Sequence, residues 1–411
     1  SLGNVSTAMS NRSFAYLVPQ FPGQTHIFFW REIAALESQN VTPVLYSTTV
    51  PPAGLISHKW SDEAMARTTY LASRNPALLL AILPRLPWGL ILREARMMPK
   101  GEAKTFLKDV IISAPAAEKL AQDCKRRGIT HIHAHSCGRA ALIAALAHHA
   151  HGLSYSLTLH GPLQDYGVGQ RFKWQGAAFV SIITRALLDL LPGQLGDALP
   201  KRLPLQPMGV DTSAFRRDAP YLPPVAGEPL RVFSCGRLNV VKGHQDLMQA
   251  VRRLIDQGQA VKLEIAGEDD AGGSGFRAEL QKRILELGLE DHVTLLGAIS
   301  ADAVRDKLMA AHVFVLASWS EPLGVAYMEA MSCEVPTVGT AAGGVPELIT
   351  DGHDGLLVPP QNPEALADAL TRLAEDPDMA LSLAQAGRAR VVSGFDSSRG
   401  ADMLVREIWK S

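Results

Sequence analysis

The sequence predicts an α/β chain of two doubly wound, Rossmann-like parallel-sheet domains facing a central cleft, and three observations carry that prediction. Short apolar runs alternate with stretches of helical spacing along most of the chain, the order that builds parallel sheets with helices on both faces. Strand-like runs in the second half are continuously apolar rather than alternating, as expected of strands covered on both sides. A Pro-rich polar segment, RRDAPYLPPVAGEP at 216–229, separates two such series and reads as a linker. At 411 residues, the chain has room for two or three domains of about 150 residues.

In chain order, 13–18 (SFAYLV) reads as a buried strand, 21–25 as a loop and 27–36 as a helix with Glu32 on its polar side, before a second strand at 41–46. Residues 60–127 give a weaker signal. The stretch 74–108 mixes apolar with basic residues and is broken by Pro84 and Pro87, so it reads as short helices. Two readings stand for it: helices packed on the sheet edge, or a membrane-surface or lipid-acceptor patch, since basic flanks around Trp88, Leu90 and Ile91 suit an interface. From Ile129 the pattern sharpens into strand THIHAH, a helix at 138–149, strands SYSLTLH and AAFVSIIT, a helix at 185–191 and a segment ending in Pro207-Met208-Gly209-Val210-Asp211. Residues 1–215 thus form the first domain.

The second series begins at Leu230. Its strands are RVFSCG, VKLEIAG, HVTLLG, VFVLAS, VPTVG and GLLVP. Helices are expected at 244–254, 276–287, 301–310, 324–331, from PELI, and at 363–373. Residues 230–394 form the second domain, and 395–411 are expected to be a terminal helix packing back on the first.

Composition narrows the function. Hydrophobic residues at 47% and charged residues at 20% exclude a disordered or collagenous chain. Forty Lys and Arg against 41 Asp and Glu leave a net charge of −1, so there is no global basic field to hold nucleic acid. Cys124, Cys137, Cys235 and Cys333 lie far apart with no CxxC, which fits a reduced cytoplasm rather than a disulfide scaffold or zinc knuckle. No apolar run reaches about 18 residues, and the start SLGNVSTAMSNRS has no apolar core of a signal peptide. A cytoplasmic protein, peripheral at the inner membrane face if the 74–108 patch is an interface, is the expectation.

The densest chemistry lies in SEPLGVAYMEA, where Glu321 and Glu329 stand eight residues apart. Glu321 is expected in the loop after strand VFVLAS and Glu329 about two turns into the next helix. Eight helical residues span about 12 Å, close to the reach from sugar to ribose in a nucleotide sugar. Gly324 at the helix start offers a seat for a diphosphate between them. The alternative is a carboxylate favouring the helix dipole, with Glu329 merely exposed. Gly236-Arg237 and Lys242-Gly243 weigh against that alternative. They follow strand RVFSC, at the carboxyl end where α/β sheets bind ligands, and two cations there suit a departing diphosphate.

These residues carry a resemblance. The second half is similar to the retaining glycosyltransferases of family 4, which have the GT-B fold, in its bacterial exopolysaccharide type. The shared signs are GRLNVVKG at 236–243, IAGE at 265–268, the Glu321/Glu329 pair, AGGVPE at 342–347 and GLLVPP at 355–360. Residues 230–392 carry it strongly, and 129–215 carry it through IHAH, TLHG and PMGVD; 55–127 do not. The resemblance implies a nucleotide-sugar donor, a UDP- or GDP-sugar, and a saccharide or lipid-linked acceptor. It implies that Arg237 and Lys242 hold the diphosphate, that Glu321 contacts the donor sugar and Glu329 the ribose, and that amides around Leu323, Gly324 and Val325 touch sugar and phosphate. Gly236 belongs to the same donor loop, and His160 of TLHG points into the cleft near the sugar. The loop after the first strand, FPGQTH, departs from the family's Gly-Gly loop by having one Gly, and His26 heads the next helix either lining the cleft or as a cap.

Other signals are weaker. His131, His133 and His135 would share one strand face, but no carboxylate cluster lies near them in sequence to complete a metal site. His148, His149 and His151 read as helix-end residues favoured by the dipole when charged. Asp376-Pro377-Asp378 imitates a metal-binding DxD, with Asp378 read instead as a helix cap; no obligatory metal or other cofactor is expected. GSGFRA at 273–278 imitates a dinucleotide loop, but Glu268, Asp269 and Asp270 precede it. The reading is transfer of a sugar to an acceptor hydroxyl with retained anomeric configuration, the first domain binding acceptor and the second donor. A nucleotide-sugar 2-epimerase and a non-catalytic nucleotide-sugar-binding protein are the alternatives.

Overall fold

The computed structural model describes residues 11–23, 27–52, 60–270 and 275–410. Its chain forms two compact units, Ser1–Pro207 with Ser398–Ser411, and Met208–Ser397. In the first, β1 (Arg12–Gln20), β2 (Val41–Thr49), β3 (Thr69–Tyr70), β4 (His131–Ala134), β5 (Ser154–Leu159) and β6 (Phe179–Ile182) make one sheet in the order β3-β2-β1-β4-β5-β6. In the second, β7 (Leu230–Cys235), β8 (Val261–Ala266), β9 (Val293–Gly297), β10 (Val313–Val315), β11 (Thr337–Thr340) and β12 (Leu356–Val358) run in the order β12-β11-β10-β7-β8-β9. All ten pairings are parallel.

Counted from its own first strand, each sheet has the order 3-2-1-4-5-6. The strand order therefore reverses between β1 and β4 in one unit and between β7 and β10 in the other, and ligands of such sheets bind beyond the carboxyl ends of the strands at that reversal. Burial on both faces explains the apolar runs. Phe14, Ala15, Tyr16 and Leu17 of β1 are inaccessible, as are Val313 and Val315 of β10.

The helix His244–Asp256 shows how sequence becomes packing. Leu247, Met248, Ala250, Val251 and Leu254 fall on one face and are buried, the spacing of an amphipathic helix on a sheet. The helix Lys100–Arg127 was not legible as one element. It runs for 28 residues through Pro115 and stops where Gly128 adopts φ 69°, a backbone state that costs glycine little. Lys125, Arg126 and Arg127 fill its last turn, where cations oppose the negative helix end.

The division between units falls at Pro207, ahead of the segment 216–229 read as a linker. That segment is bound into the second unit: Arg217 Nε donates to Cys333 O at 2.9 Å, and the buried Tyr221 hydroxyl donates to His312 O at 2.8 Å. At the other end, Val210 N donates to Phe395 O at 2.9 Å, so Phe395 stays with the second unit. The helix Ser398–Ile408 belongs to the first. There Arg202 Nη1 pairs with Glu407 Oε2 at 2.5 Å.

Candidate functional site

Of the residues singled out in the sequence, Lys242 and Glu321 meet at the β7/β10 reversal, while Arg237, on the loop after β7, lies against Asp270. Beyond Cys235 the chain passes through Gly236 and Arg237 into a single 3-10 turn, Val240–Lys242. Asn239 caps that turn, accepting from Lys242 N at 3.2 Å. Beyond β10, Trp319 N donates to Val241 O at 2.8 Å, and Trp319 Nε1 to Asp246 Oδ2 at 2.8 Å. The loops after β7 and β10 are thereby stitched together, and Lys242 Nζ reaches Glu321 Oε2 at 2.7 Å.

This ion pair is shielded, its side chains 16% and 12% exposed, and Ser318 Oγ donates to the same Glu321 oxygen at 3.0 Å. Arg237 differs. It is 62% exposed and lies 3.4 Å from Asp270 Oδ1, a contact worth little in water. It remains available to an incoming anion. His244 backs the turn from beneath, its Nε2 donating to Arg237 O at 3.1 Å, while burial pushes its pKa down to about 4. It is a neutral donor at neutral pH.

Glu321 is fixed from its own backbone. Its carbonyl accepts from Gly344 N at 3.0 Å, and Thr340 Oγ1 donates to Ser318 O at 2.6 Å. Leu323 is buried at 2% exposure, so its side chain serves packing. Gly324, at φ 85°, opens the helix Val325–Ser332, whose first turn no side chain caps. Such amides favour an anion. Tyr327 anchors that helix, its hydroxyl donating to Leu316 O.

Glu329 is the fifth residue of this helix, about one turn in rather than two. Residues 321–324 are not helical, so the 12 Å spacing inferred from eight helical residues does not hold. Glu329 nonetheless lies near the same strand end: burial raises the Cys235 thiol to about 12, with the Glu329 charge adding to the effect.

His160 lies in the first unit, beyond β5 and near the β1/β4 reversal. Its Nε2 is 3.1 Å from His135 Nδ1, and His135 Nε2 is 2.6 Å from Glu32 Oε1, which also accepts from the Tyr16 hydroxyl at 2.7 Å. Neither Glu32 nor Tyr16 stood out as functional in the sequence. The alternation His131, His133, His135 was the available signal, and it does place all three on one face, against Ser154, Ser156, Thr158 and His160. Burial drives His131 down to about 3 and His133 well below the ordinary value, and their ring nitrogens are taken by hydroxyls. Among the described residues, no group of three or more His, Cys, Asp or Glu is placed to hold a metal. His26 lies outside the described residues.

Two smaller readings change. Asp376, not Asp378, caps its helix, accepting from Met379 N at 3.0 Å, because Pro377 occupies the first helical position. His149 is held neutral, pushed down by burial to about 4, so no charge of its own serves the helix dipole. Of the imitation dinucleotide loop, 273–274 lie outside the described residues; Asp269 Oδ1 takes the amide of Arg277 at 2.7 Å, which sets a carboxylate where a pyrophosphate would go.

Comparison with known proteins fits this geometry. Residues 223–390 match the family model of glycosyl transferases group 1. D-inositol 3-phosphate glycosyltransferase of Streptomyces bingchenggensis is 32% identical over 173 residues, 41% of this chain and 37% of that protein. Amylovoran biosynthesis glycosyltransferase AmsK of Erwinia amylovora is 32% identical over 198 residues, 46% of each chain. The chain thus spans less than half the length of these two curated relatives. Anabaena Alr3699/HepE, solved in complex with UDP, superposes with a TM-score of 0.74 at 18% identity, covering 97% of this chain and 99% of that one. That likeness, with the two parallel sheets, shows the GT-B fold.

Proposed function

We propose that this chain, whose residues 223–390 belong to the glycosyl transferases group 1, transfers a sugar from a nucleotide sugar to an acceptor hydroxyl, with retention of anomeric configuration, in the synthesis of a bacterial polysaccharide or glycolipid. One observation carries the reading: Lys242 pairs with Glu321 at the β7/β10 reversal, on the loops that also carry the exposed Arg237 and lead to the uncapped helix start at Val325. Arg237, Lys242 and the amides of Leu323, Gly324 and Val325 receive the diphosphate. Gly236 lets the donor approach the strand end, Glu321 holds sugar hydroxyls and Glu329 the ribose. His160 recognises the sugar from the first unit, which also serves the acceptor. The donor is read as a UDP- or GDP-sugar, and the UDP complex of the Anabaena neighbour favours the uridine form.

Retention through a glycosyl-enzyme needs two carboxylates about 5 Å apart flanking one bond. Glu321 already holds Lys242, so the reading is a front-face reaction in which the leaving phosphate takes the acceptor proton. A melting-temperature screen with UDP, GDP, ADP and their sugar conjugates tests the donor site. A ligand at 100 times its dissociation constant adds about 2.7 kcal/mol. One nucleotide series is expected to raise the melting temperature, and Arg237→Ala and Glu329→Ala to remove the shift. Binding without transfer or hydrolysis would move the non-catalytic reading forward, and an inverted product would sink the front-face reaction.

A lipid-linked acceptor draws support from the helices Pro76–Ile82, Trp88–Met97 and Lys100–Arg127. One face enters the core through Ile82, Ile91, Phe106 and Val110, as the packing reading expected. The rest exposes Leu80, Trp88, Leu92 and Met97 beside exposed Arg85, Arg93, Arg96, Lys100 and Lys104, the composition of an interfacial surface. No single described helix is long and apolar enough to cross a membrane. The protein is expected to co-float with phosphatidylglycerol vesicles. Arg93→Glu with Arg96→Glu should lower that partition at least tenfold, since each basic residue near an anionic surface is worth about 1 kcal/mol. Flotation unaffected by this double substitution would remove the membrane reading.

A further inference from the structure

The Glu321 carboxylate is held through one oxygen. Lys242 Nζ at 2.7 Å and Ser318 Oγ at 3.0 Å both donate to Oε2, and among the described residues Oε1 takes no hydrogen bond. The two donors are mounted differently. Lys242 reaches across from the turn after β7 on a flexible four-carbon stem. Ser318 belongs to Glu321's own loop, three positions earlier, and is inaccessible. Its carbonyl accepts from Thr340 Oγ1 of β11 at 2.6 Å. The Glu321 carbonyl accepts from Gly344 N at 3.0 Å, and the chain passes it so closely that a Cβ on Gly343 would lie 2.1 Å from that oxygen. Ser318 and Glu321 are thus pinned by their backbones to β11 and the turn that follows it. The bond from Lys242 depends on a side chain that can swing.

We propose that Ser318 is a positioning residue of the donor site: it keeps Glu321 in place through Oε2 when a diphosphate draws Lys242 away, so that Oε1 is the oxygen presented to the hydroxyls of the donor sugar. The inference rests on the reading of Lys242 as a diphosphate residue and of Glu321 as the sugar contact. Ser318 acts only through Glu321. Its hydroxyl carries one hydrogen, which Oε2 takes, and the buried side chain has none left for a ligand.

The change of partners on binding gives Ser318 its weight. Before binding, two donors fix the carboxylate, and loss of one leaves the other. Once the diphosphate has taken the ammonium, Ser318 Oγ is the one of the two that remains. Without it the glutamate side chain regains rotamer freedom, and sugar hydroxyls meet a carboxylate that must first be ordered. A contact group is only as precise as the neighbours that lock its rotamer. In this reading the diphosphate of the donor does not touch Glu321. The effect of Ser318 therefore falls on the sugar's contribution to binding and not on the diphosphate's, which separates positioning from a general role in holding the loop.

The test is calorimetric titration of the full chain with UDP, UDP-glucose, GDP and GDP-mannose. In Ser318→Ala the affinity for the sugar conjugate is expected to fall about tenfold relative to that for its diphosphate, the worth of one hydrogen bond, with the diphosphate itself bound within about threefold of native. In a Glu321→Ala background the same substitution should leave that ratio unchanged, since Ser318 then has no carboxylate to hold. An equal loss for diphosphate and sugar conjugate would make Ser318 a loop support and overturn the proposal. An unchanged ratio in folded Ser318→Ala overturns it too, as does a further drop in the Glu321→Ala background. A native protein that binds none of the four ligands fails at an earlier point: the donor site itself is removed, and this role with it. Where Ser318→Ala does not fold, a crystal structure of the native chain with the diphosphate that binds decides the matter. It should show Lys242 Nζ on a phosphate oxygen and Ser318 Oγ still about 3 Å from a Glu321 carboxylate oxygen. A carboxylate that has left Ser318, or that keeps Lys242 to itself, overturns the proposal.

Discussion

Lys242→Met is expected to lower sugar transfer by two to three orders of magnitude. A positioned cation or donor at developing negative charge is worth about 10²- to 10³-fold in rate, and Lys242 is the shielded cation of the site. The ion pair adds a second consequence. Lys242 and Glu321 neutralise each other at 2.7 Å, so a diphosphate must share or take over the ammonium before Glu321 can turn to sugar hydroxyls. Glu321→Gln should therefore bind the free nucleoside diphosphate more tightly than the native protein while transferring sugar slowly. Lys242→Met should lose both. The same pair has a stability side. Removing the lysine strands a carboxylate only 12% exposed, with Ser318 Oγ still donating to it, and breaking a buried pair costs up to about 3–5 kcal/mol. The pair is shielded rather than fully buried, so about 1–3 kcal/mol is expected here. Combining Lys242→Met with Glu321→Gln should cost less than the sum of the single changes. The measurements are initial rates of nucleotide release, calorimetric binding of the diphosphate, and melting temperature. A Lys242→Met protein within threefold of native activity would remove Lys242 from the diphosphate site.

The sequence made the second unit legible because its chemistry is local. GRLNVVKG and SEPLG each sit directly after an apolar strand, so the residues that act are also those next to a recognisable element. That Lys242 and Glu321 touch was not legible, because they are 79 positions apart and only the β7-to-β10 neighbour relation brings them together. Glu32 was hidden for the same reason. Within its helix it reads as an ordinary polar-face residue, and its partner His135 is 103 positions away. Element boundaries suffered where a local rule was overridden. Pro115 should interrupt a helix, yet the helix Lys100–Arg127 continues through it, held by buried Phe106, Val110, Leu120 and Cys124. The segment 216–229 has the composition of a linker, but composition does not report that Tyr221 finds a buried acceptor in His312 O.

Gly243→Ala should be the most damaging single substitution near the site, and it removes no functional group. Gly243 joins the turn Val240–Lys242 to the helix that starts at His244. It sits at φ 69°, and a Cβ there would lie 1.8 Å from Ala317 O and 2.6 Å from its carbonyl carbon. Two penalties combine. A left-handed conformation costs a non-glycine residue about 1–2 kcal/mol, and the clash is with backbone, which cannot rotate away as a flexible side chain would. The backbone it meets is the end of the loop that carries Ser318, Trp319 and Glu321. Relief therefore requires the loops after β7 and β10 to part, which breaks the Trp319 to Val241 hydrogen bond at 2.8 Å and separates Lys242 from Glu321. We expect a loss of about 3 kcal/mol or more. For a unit of this size that lowers the melting temperature by about 6–12 °C, with transfer falling at temperatures where the variant is still folded. Gly258→Ala is the control. It also has positive φ, 90°, but nothing lies within 4 Å of its added Cβ, so it carries the conformational cost without the clash. If Gly243→Ala and Gly258→Ala lose the same stability, the close approach of the two loops is not what glycine serves at position 243.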